Sequence, residues 1–242
     1  NKVYDGTTTA SVTLTFSGLV GSETLGQSVG ATFVDQNVAS GKTVTVNTIT
    51  LSDDGGLASN YSIATGQTTT ANITAAPLTA TASANNKVYD GTTTASVTLT
   101  FSGLVGSETL GQSVGATFAD KNVANAKNVT VNSITLSDGA NGGLTDNYTI
   151  TTGQTTTANI TQLSSVTWNG NAGDGLWSSA SNWAGSAIPD QNNVAAVVIP
   201  SAQSVTFDSD TVGTIGSTIA NSGTLTFDGA TDYTFGQVIS GS

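Results

Sequence analysis

Hydrophobic and polar residues alternate in short runs along the chain, with the period of two that is typical of β-strands. Val12, Leu14 and Phe16 lie on one face of such a run, and the residues between them are threonines. This alternation predicts a strand over Ser11–Phe16 with one buried face.

The longest predicted strand covers Thr43–Leu51. Its apolar residues change phase between Val46 and Ile49, because the step is three residues instead of two. Such a step predicts a β-bulge at Asn47-Thr48, where one extra residue enters the strand. The remaining predicted elements are short strands at Ala31–Phe33, Tyr61–Ile63, Ala71–Thr74 and Leu78–Ala82, with Ala75–Pro77 as a linker.

One long stretch of sequence occurs twice. Asn1–Phe33 returns residue for residue as Asn86–Phe118, and similarity continues beyond it with two residues gained in a glycine-rich turn. Self-similarity at a fixed period marks an array of modules. We therefore predict one module over residues 1–76 and a second over residues 77–162. The first module lacks the strand that opens the second, so we expect that strand upstream and the chain to be a fragment.

Residues 163–242 have a different pattern and contain all three tryptophans. The apolar run Val194–Ile199 predicts a buried strand. The sequence SVTFDS at 204–209 is echoed by TLTFDG at 224–229, and this spacing of twenty residues is close to one coil of a β-solenoid. We predict that this region begins a solenoid, with a β-sandwich as the alternative.

Composition supports a fold made of strands. Charged residues are 9% of the chain, against about 25% in typical domains. Threonine and valine favour strands, and strong helix formers are scarce. Pattern and composition together predict an all-β protein, with tandem Ig-like β-sandwich modules followed by a solenoid-like region.

Charge and residue usage exclude several kinds of function. The formal net charge is −11, with five lysines and no arginine, so nucleic acid and anionic membrane surfaces are disfavoured as partners. The absence of cysteine and histidine excludes thiol chemistry and thiolate or imidazole metal sites. No apolar run approaches the roughly 18 residues of a membrane span, and no signal peptide is visible.

Both modules open with Lys-Val-Tyr-Asp-Gly, at residues 2–6 and 87–91, and end with a variant of NYTI and TANIT. Such units resemble the YDG-type repeats of large bacterial adhesin-like exoproteins, many of them filamentous haemagglutinin-like and secreted by a two-partner route. The resemblance covers residues 1–161 and implies mostly-β modules without catalytic residues. The stretch 177–200 looks more loosely like the entry into the β-helical part of similar proteins.

The repeated motif is predicted to be structural. We expect its tyrosine ring to pack over a sheet edge above an Asp-Gly turn, and stacking on a sugar ring is the alternative. Glu23 and Glu108 recur once per module, which favours a structural role over a glycosidase pair. The predicted structural residues are Lys2, Tyr4, Asp5, Gly6, Lys87, Tyr89, Asp90 and Gly91.

Three tryptophans are candidates for a carbohydrate-binding platform: Trp168, Trp177 and Trp183. The alternative is that they cap the apolar end of a solenoid. Exposure distinguishes the two, because a platform needs coplanar rings that face solvent.

Calcium is the one cofactor considered, and the expectation is that none is bound. A calcium ion needs six to eight oxygen ligands, and no stretch supplies a complete set. Solvated carboxylates in turns are the alternative. The candidate ligands are Asp53, Asp54, Asp208 and Asp210, and a covalent cross-link of Lys2 or Lys87 with Asn60 or Asn147 is a weaker hypothesis.

These features favour a mechanical role over an enzymatic one. We expect a stalk or spacer segment of a secreted or surface-displayed bacterial adhesin, which supports cell adhesion or contacts in the biofilm matrix. The expected location is extracellular, at the bacterial cell surface. Expected partners are neighbouring repeats of the same polypeptide, a glycan or matrix polysaccharide, and another chain at an open strand edge. The main alternative is a carbohydrate-binding module in residues 163–242; ice binding and catalysis are weaker.

Overall fold

The computed structural model describes residues 1–208, 214–228, 234–235 and 237–241. Strands and loops form nearly all of this part of the chain, which confirms the all-β prediction. The helical elements in these ranges are short 3₁₀ helices: η1 (Ala58–Asn60), η2 (Thr145–Asn147), η3 (Ala180–Asn182) and η4 (Ala184–Ser186). None of the helices in the described ranges has the length and apolar character needed to cross a bilayer.

The strands fall into three groups along the chain. The first copy and the following linker contain β1 (Lys2–Val3), β2 (Thr9–Ala10), β3 (Thr24–Phe33), β4 (Ala39–Asp54), β5 (Thr68–Thr74) and β6 (Ala76–Pro77). The second copy contains β7 (Thr79–Ala84), β8 (Lys87–Val88), β9 (Thr94–Ala95), β10 (Val97–Ser102), β11 (Leu110–Phe118), β12 (Ala124–Asp138), β13 (Tyr148–Thr149) and β14 (Thr155–Thr161). The C-terminal region contains β15 (Val166–Thr167), β16 (Ala196–Ile199), β17 (Ser204–Phe207), β18 (Thr214–Ile215), β19 (Thr218–Asn221), β20 (Thr224–Phe227), β21 (Thr234–Phe235) and β22 (Ile239–Gly241).

The first copy forms a five-stranded sheet of order β1-β5-β4-β3-β2, in which only β1 and β5 pair in parallel. Along β3 and β4, Gly30 pairs with Thr48 and Ala31 pairs with Val46. Asn47 is therefore the extra residue of a β-bulge, which confirms the bulge predicted from the change of phase. Strand β3 is longer than the predicted strand Ala31–Phe33, and it includes Gly26, which pairs with Ser52.

The second copy repeats this sheet, with the order β8-β14-β12-β11-β9, and adds two strand pairs: β10 with β7 and β13 with β6. The sequence SVTLTFS provides the clearest contrast. All but its first residue form β10 in the second copy, whereas the identical residues 11–17 lie outside every strand of the first copy. The prediction of a strand over Ser11–Phe16 is therefore wrong for the first copy. The segment lacks a counterpart of β7 among the described residues, and a strand needs a paired backbone.

The linker and the short strand near Tyr61 show the same contrast. Ala76 and Pro77 pair in parallel with Tyr148 and Thr149, so the predicted linker Ala75–Pro77 is largely strand β6. The counterpart of this strand pair in the first copy, predicted as the strand Tyr61–Ile63, is not formed. Both differences concern pairing partners, because the sequences around them are nearly the same.

The chain divides into two compact units that cut across the second copy. The first unit comprises residues 1–80, 101–113 and 135–151, and the second comprises 81–100, 114–134 and 152–242. The core of the first unit therefore joins residues of both copies. Its buried members are Tyr4, Ala10, Ala31, Phe33, Val44, Val46, Ile73, Ala76, Leu78 and Tyr148.

The C-terminal region consists of parallel ladders. Ser204–Phe207 pairs in register with Thr224–Phe227, twenty residues later, as the echo in the sequence predicted. The same spacing joins Ile219 to Ile239. Phe207 and Phe227 stack at 5.1 Å between ring centroids, nearly in parallel planes. The predicted buried strand in Val194–Ile199 is β16, although Val198 is 39% exposed on its outer face.

Candidate functional site: the two YDG junctions

The Lys-Val-Tyr-Asp-Gly motif is closed by its own lysine and aspartate. Lys2 Nζ lies 2.6 Å from Asp5 Oδ1 and donates to the carbonyl oxygen of Thr7 at 2.7 Å. Asp5 also accepts the backbone N–H of Thr7 at 2.9 Å. Burial raises the pKa of Asp5, but the hydrogen bonds from Lys2 and Thr7 outweigh it, and the pKa lies below its ordinary value. The second copy repeats these contacts with Lys87, Asp90 and Thr92.

The tyrosine of the motif reaches from the first copy to the second. The Tyr4 ring is 3% exposed, and its hydroxyl donates to Glu108 Oε1 at 2.6 Å. Tyr148 donates to Oε2 of the same carboxylate at 2.6 Å, and the two rings meet edge to face at 5.5 Å. Burial and the Glu108 carboxylate raise the pKa of Tyr4 well above its usual value. Glu108 thus joins two tyrosines that belong to different copies.

The glycine of the motif allows a close approach that a side chain would block. Gly6 has a φ of 72°, and a Cβ there would lie 2.7 Å from Val105 Cγ1. Gly91 has a φ of 75°, and its Cβ would lie 2.9 Å from the carbonyl oxygen of Ser186. Each position therefore requires glycine for two reasons: the backbone has a positive φ, and there is no space for a Cβ atom.

A buried asparagine completes the contact between the copies. Asn147 is 1% exposed, and its Oδ1 accepts the backbone N–H of Val38 at 2.9 Å. Its Nδ2 donates to the side-chain oxygen of Asn37 at 3.2 Å. One amide therefore satisfies polar groups in a loop of the other copy, where an apolar residue would leave them unpaired. We call the contacts of Tyr4, Gly6 and residues 37–38 with the second copy the first junction.

The C-terminal region meets the second copy through the same motif. The Tyr89 hydroxyl lies 3.0 Å from the carbonyl oxygen of Ile188, to which it donates, and 3.2 Å from Asp190 Oδ1. Lys121 Nζ lies 2.7 Å from Asp190 Oδ2. Burial and the charge of Asp190 raise the pKa of Tyr89 above its usual value. Asp190 therefore takes the place that Glu108 has in the first junction.

Asn193 takes the place of Asn147. Its Oδ1 accepts the backbone N–H of Val123 at 2.7 Å, and its Nδ2 donates to the Asn122 side chain at 3.0 Å. These are the counterparts of Val38 and Asn37. We call the contacts of Tyr89, Gly91 and residues 121–123 with the C-terminal region the second junction. A loop of unrelated sequence thus reproduces the tyrosine, glycine and asparagine contacts of a repeat.

The three tryptophans are buried. Trp168, Trp177 and Trp183 are each at most 2% exposed, and Trp183 Nε1 donates to the carbonyl oxygen of Trp177 at 2.8 Å. Trp183 meets both other rings edge to face, and Trp177 stacks on Phe207 with the ring centroids 4.1 Å apart. These rings do not form the coplanar, exposed surface that the carbohydrate platform requires. They belong to the core of the C-terminal region.

The acidic candidates for calcium lie in separate turns. The Asp53 carboxylate accepts the backbone N–H of Ala58 at 2.7 Å, and Asp208 accepts the Ser178 hydroxyl at 2.6 Å. Asp54 is exposed, and Asp210 lies outside the described residues. Within the ranges that the structure describes, no three acidic side chains form a group that could hold a metal ion. The expectation that no cofactor is bound stays a prediction, with calcium as its alternative.

The structure also shows the partners of the residues considered for a covalent cross-link and of the two glutamates. Lys2 and Lys87 bond the aspartates of their own motifs, and Asn147 bonds the first copy, so the structure does not pair lysine with asparagine as a cross-link requires. Glu23 accepts the Tyr61 hydroxyl, and Glu108 accepts two tyrosines. Each glutamate is therefore part of a tyrosine cluster.

Sequence reasoning found the motif but missed its partners. Asp190 and Asn193 were not candidates, because they lie in a loop without hydrophobic periodicity. Asn147 was a candidate only for a covalent cross-link, not for a contact between the copies. The available signal was the recurrence of one glutamate and one Asn-Tyr pair in each copy, which indicates a repeated structural need.

Comparison with known proteins agrees with the repeat. The YDG domain model matches residues 1–71 and 74–158, which is more than half of the chain. No curated protein and no solved structure shows significant similarity. The matched segments contain both copies of the motif that builds the junctions. The chain therefore belongs to the YDG domain family.

Proposed function

We propose that this chain is a stalk or spacer segment of a secreted or surface-displayed bacterial adhesin. One observation carries the proposal: the same junction is built twice, once by the first copy and once by the second. A module that binds its successor through a fixed set of buried contacts is suited to building length. In this role the segment holds a distal binding region away from the cell and supports adhesion or contacts in the biofilm matrix.

The chemistry of the junctions supports this role. Each junction combines a buried tyrosine on a carboxylate, a glycine at close range and an amide that bonds backbone of the other side. Directional contacts of this kind fix the orientation of successive segments, whereas a flexible linker leaves it free. A spacer needs a fixed orientation between successive segments, whereas a set of independent binding modules does not.

The proposal extends to the fold and the location. The YDG copies are Ig-like β-sandwich modules, and residues 163–242 begin a β-solenoid. The parallel ladders with twenty-residue spacing and the stacked phenylalanines support the solenoid. The resemblance to filamentous haemagglutinin-like exoproteins supports two-partner secretion and an extracellular location. The carbohydrate-binding alternative has less support, because the three tryptophans are buried.

Small-angle X-ray scattering of the full chain tests the spacer role. A compact protein of 242 residues has a radius of gyration of about 18 Å. A spacer is expected to give a clearly larger value that does not change between low and moderate salt. A value near that of a compact protein would refute the proposal. Glycan-array binding of the same sample is the control, since specific binding would favour the carbohydrate-binding alternative.

A further inference from the structure

The first copy carries a second set of the residues that receive the motif tyrosine. Tyr148 accepts the backbone N–H of Val105 at 2.9 Å and donates to Glu108, and this cluster binds Tyr4. In the first copy, Tyr61 accepts the backbone N–H of Val20 at 3.0 Å and donates to Glu23 Oε2. The receiving cluster is thus already assembled in the first copy.

This cluster of the first copy is open. Val20 is 69% exposed, and Asn60 is exposed, whereas its counterpart Asn147 is 1% exposed. The Tyr61 side chain is also more exposed than that of Tyr148. Among the described residues, no hydroxyl donates to Glu23 Oε1, the counterpart of the oxygen that accepts Tyr4.

A cleft of about 280 Å³ lies beside the cluster. Its apolar lining includes Phe16, Leu19 and Ile63. In the second copy the corresponding cleft is filled by residues 76–78 of the same chain. Ala76–Pro77 pairs with the backbone of Tyr148–Thr149, and Leu78, which is 5% exposed, donates its N–H to the Thr149 carbonyl oxygen at 2.7 Å.

The neighbouring segment 11–17 is also short of a partner. Gln27 bonds both backbone polar groups of Leu14, at 2.9 and 2.7 Å, but no described strand pairs with this segment. The identical sequence in the second copy pairs with β7. Three adjacent places are therefore filled in the second copy and open in the first. A YDG module fills all three through its tyrosine and the stretch Ala76–Ala84 that follows it.

We propose that this open face of the first copy, made of residues 11–20, Glu23 and residues 60–63, is a docking site for a further YDG module. The tyrosine of that module donates to Glu23, its Ala-Pro-Leu segment enters the cleft, and the following strand pairs with residues 11–17. The proposal rests on the proposed function, because it uses the same junction. A second copy of this chain is not the occupant, since its tyrosines Tyr4 and Tyr89 are already bonded.

The test is an extended chain in which residues 1–85 are duplicated ahead of Asn1. This duplication recreates the natural sequence around residues 85 and 86. Segmental isotope labelling of the original 1–242 part then separates identical sequences in amide hydrogen-exchange spectra. We expect the amides of residues 12–17 that face the added strand, which are every second residue, and the amide of Val20 to exchange more slowly by roughly 100-fold or more, as when backbone joins a stable sheet. Unchanged exchange at these amides would overturn the proposal.

Two matched chains separate the parts of the site. Adding only residues 75–85 supplies the linker and the strand, and is expected to protect 12–17 while leaving the Tyr61 hydroxyl as it was. In the chain extended by residues 1–85, binding of the added tyrosine is expected to shift the NMR signals of the Tyr61 ring. A Tyr4→Phe change confined to the added copy is expected to abolish this shift and to leave the strand protected. If the Tyr61 ring signals still shift in this variant, the added tyrosine does not bind Glu23, and that part of the proposal is overturned.

Sedimentation of the original chain distinguishes self-association from docking. A monomer is expected. A dimer whose formation protects the same amides would overturn the choice of occupant, because the open face would then pair with itself. Failure of the scattering test leaves these exchange measurements intact, since protection of the open face does not depend on the length of the whole molecule.

Discussion

Gly6 and Gly21 both have positive φ angles, but only Gly6 lies against a neighbouring segment. Gly6→Ala places a methyl group on Val105, and Gly21→Ala finds no atom within 4 Å. Both changes strain the backbone by about 1–2 kcal/mol. Gly6→Ala is expected to lower the free energy of unfolding by roughly 1–3 kcal/mol more, through the clash. Urea-induced unfolding of the two variants measures the difference, and equal losses would show that Gly6 serves the turn alone.

Tyr4 makes the stability of the first junction depend on alkaline pH. Burial and the hydrogen bond to Glu108 raise its pKa. A phenol whose pKa rises on folding contributes fully below its unfolded pKa of about 10, and the contribution is lost as pH rises through the folded pKa. We expect the urea midpoint to fall above about pH 10. Tyr4→Phe is expected to make this fall shallower.

Tyr4→Phe is also expected to lower the free energy of unfolding at neutral pH. It keeps the packed ring and removes one donor from the Glu108 carboxylate, which is expected to cost about 1.5–3 kcal/mol. Tyr61→Phe is the control, because it removes a tyrosine–glutamate bond within one copy, at a side chain that is less buried than Tyr4. A pH profile of Tyr4→Phe that parallels the unaltered chain would contradict the assignment.

At the scale of elements, pairing decides which part of a repeated sequence becomes a strand. Thr81→Pro in the middle of β7 removes a backbone donor and disrupts pairing, whereas Thr81→Val keeps it. The proline variant is expected to make β10, Val97–Ser102, exchange its amide protons as fast as the identical residues 12–17. Segmentally labelled samples distinguish the two stretches. Slow exchange of β10 in the proline variant would show that its order does not come from β7.

The sequence predicted those elements that depend on local period. The bulge at Asn47 and the pairing of 204–207 with 224–227 follow from changes of phase and from an echo. Residues 11–17 could not be predicted in the same way, because their alternation is equal to that of β10 and only the partner differs. The partners of the motif tyrosines were missed for a related reason. Tyr4 and Glu108 are 104 residues apart in the chain, and no period connects them.

At the scale of the whole molecule, sequence copies and structural units do not coincide. The first junction lies inside one compact unit, and the second junction lies inside the other. Each unit combines the motif end of one copy with the receiving end of the next segment. The second copy is therefore divided between the two units, and each part of it shares a unit with a neighbouring segment.

Because the junctions lie in separate units, their energies are expected to add. Asn147→Ala and Asn193→Ala each leave a backbone N–H and an asparagine side chain without their partner, at a cost of about 1–3 kcal/mol. The double variant is expected to lose the sum within about 0.5 kcal/mol, as for independent sites.

Asn60→Ala, at the exposed counterpart of Asn147, is the control and is expected to change stability little. Urea unfolding followed by tryptophan fluorescence and by circular dichroism measures all four chains. A double variant far from the sum would mean that the junctions are coupled through the second copy, and a large loss for Asn60→Ala would mean that this asparagine acts within its own copy.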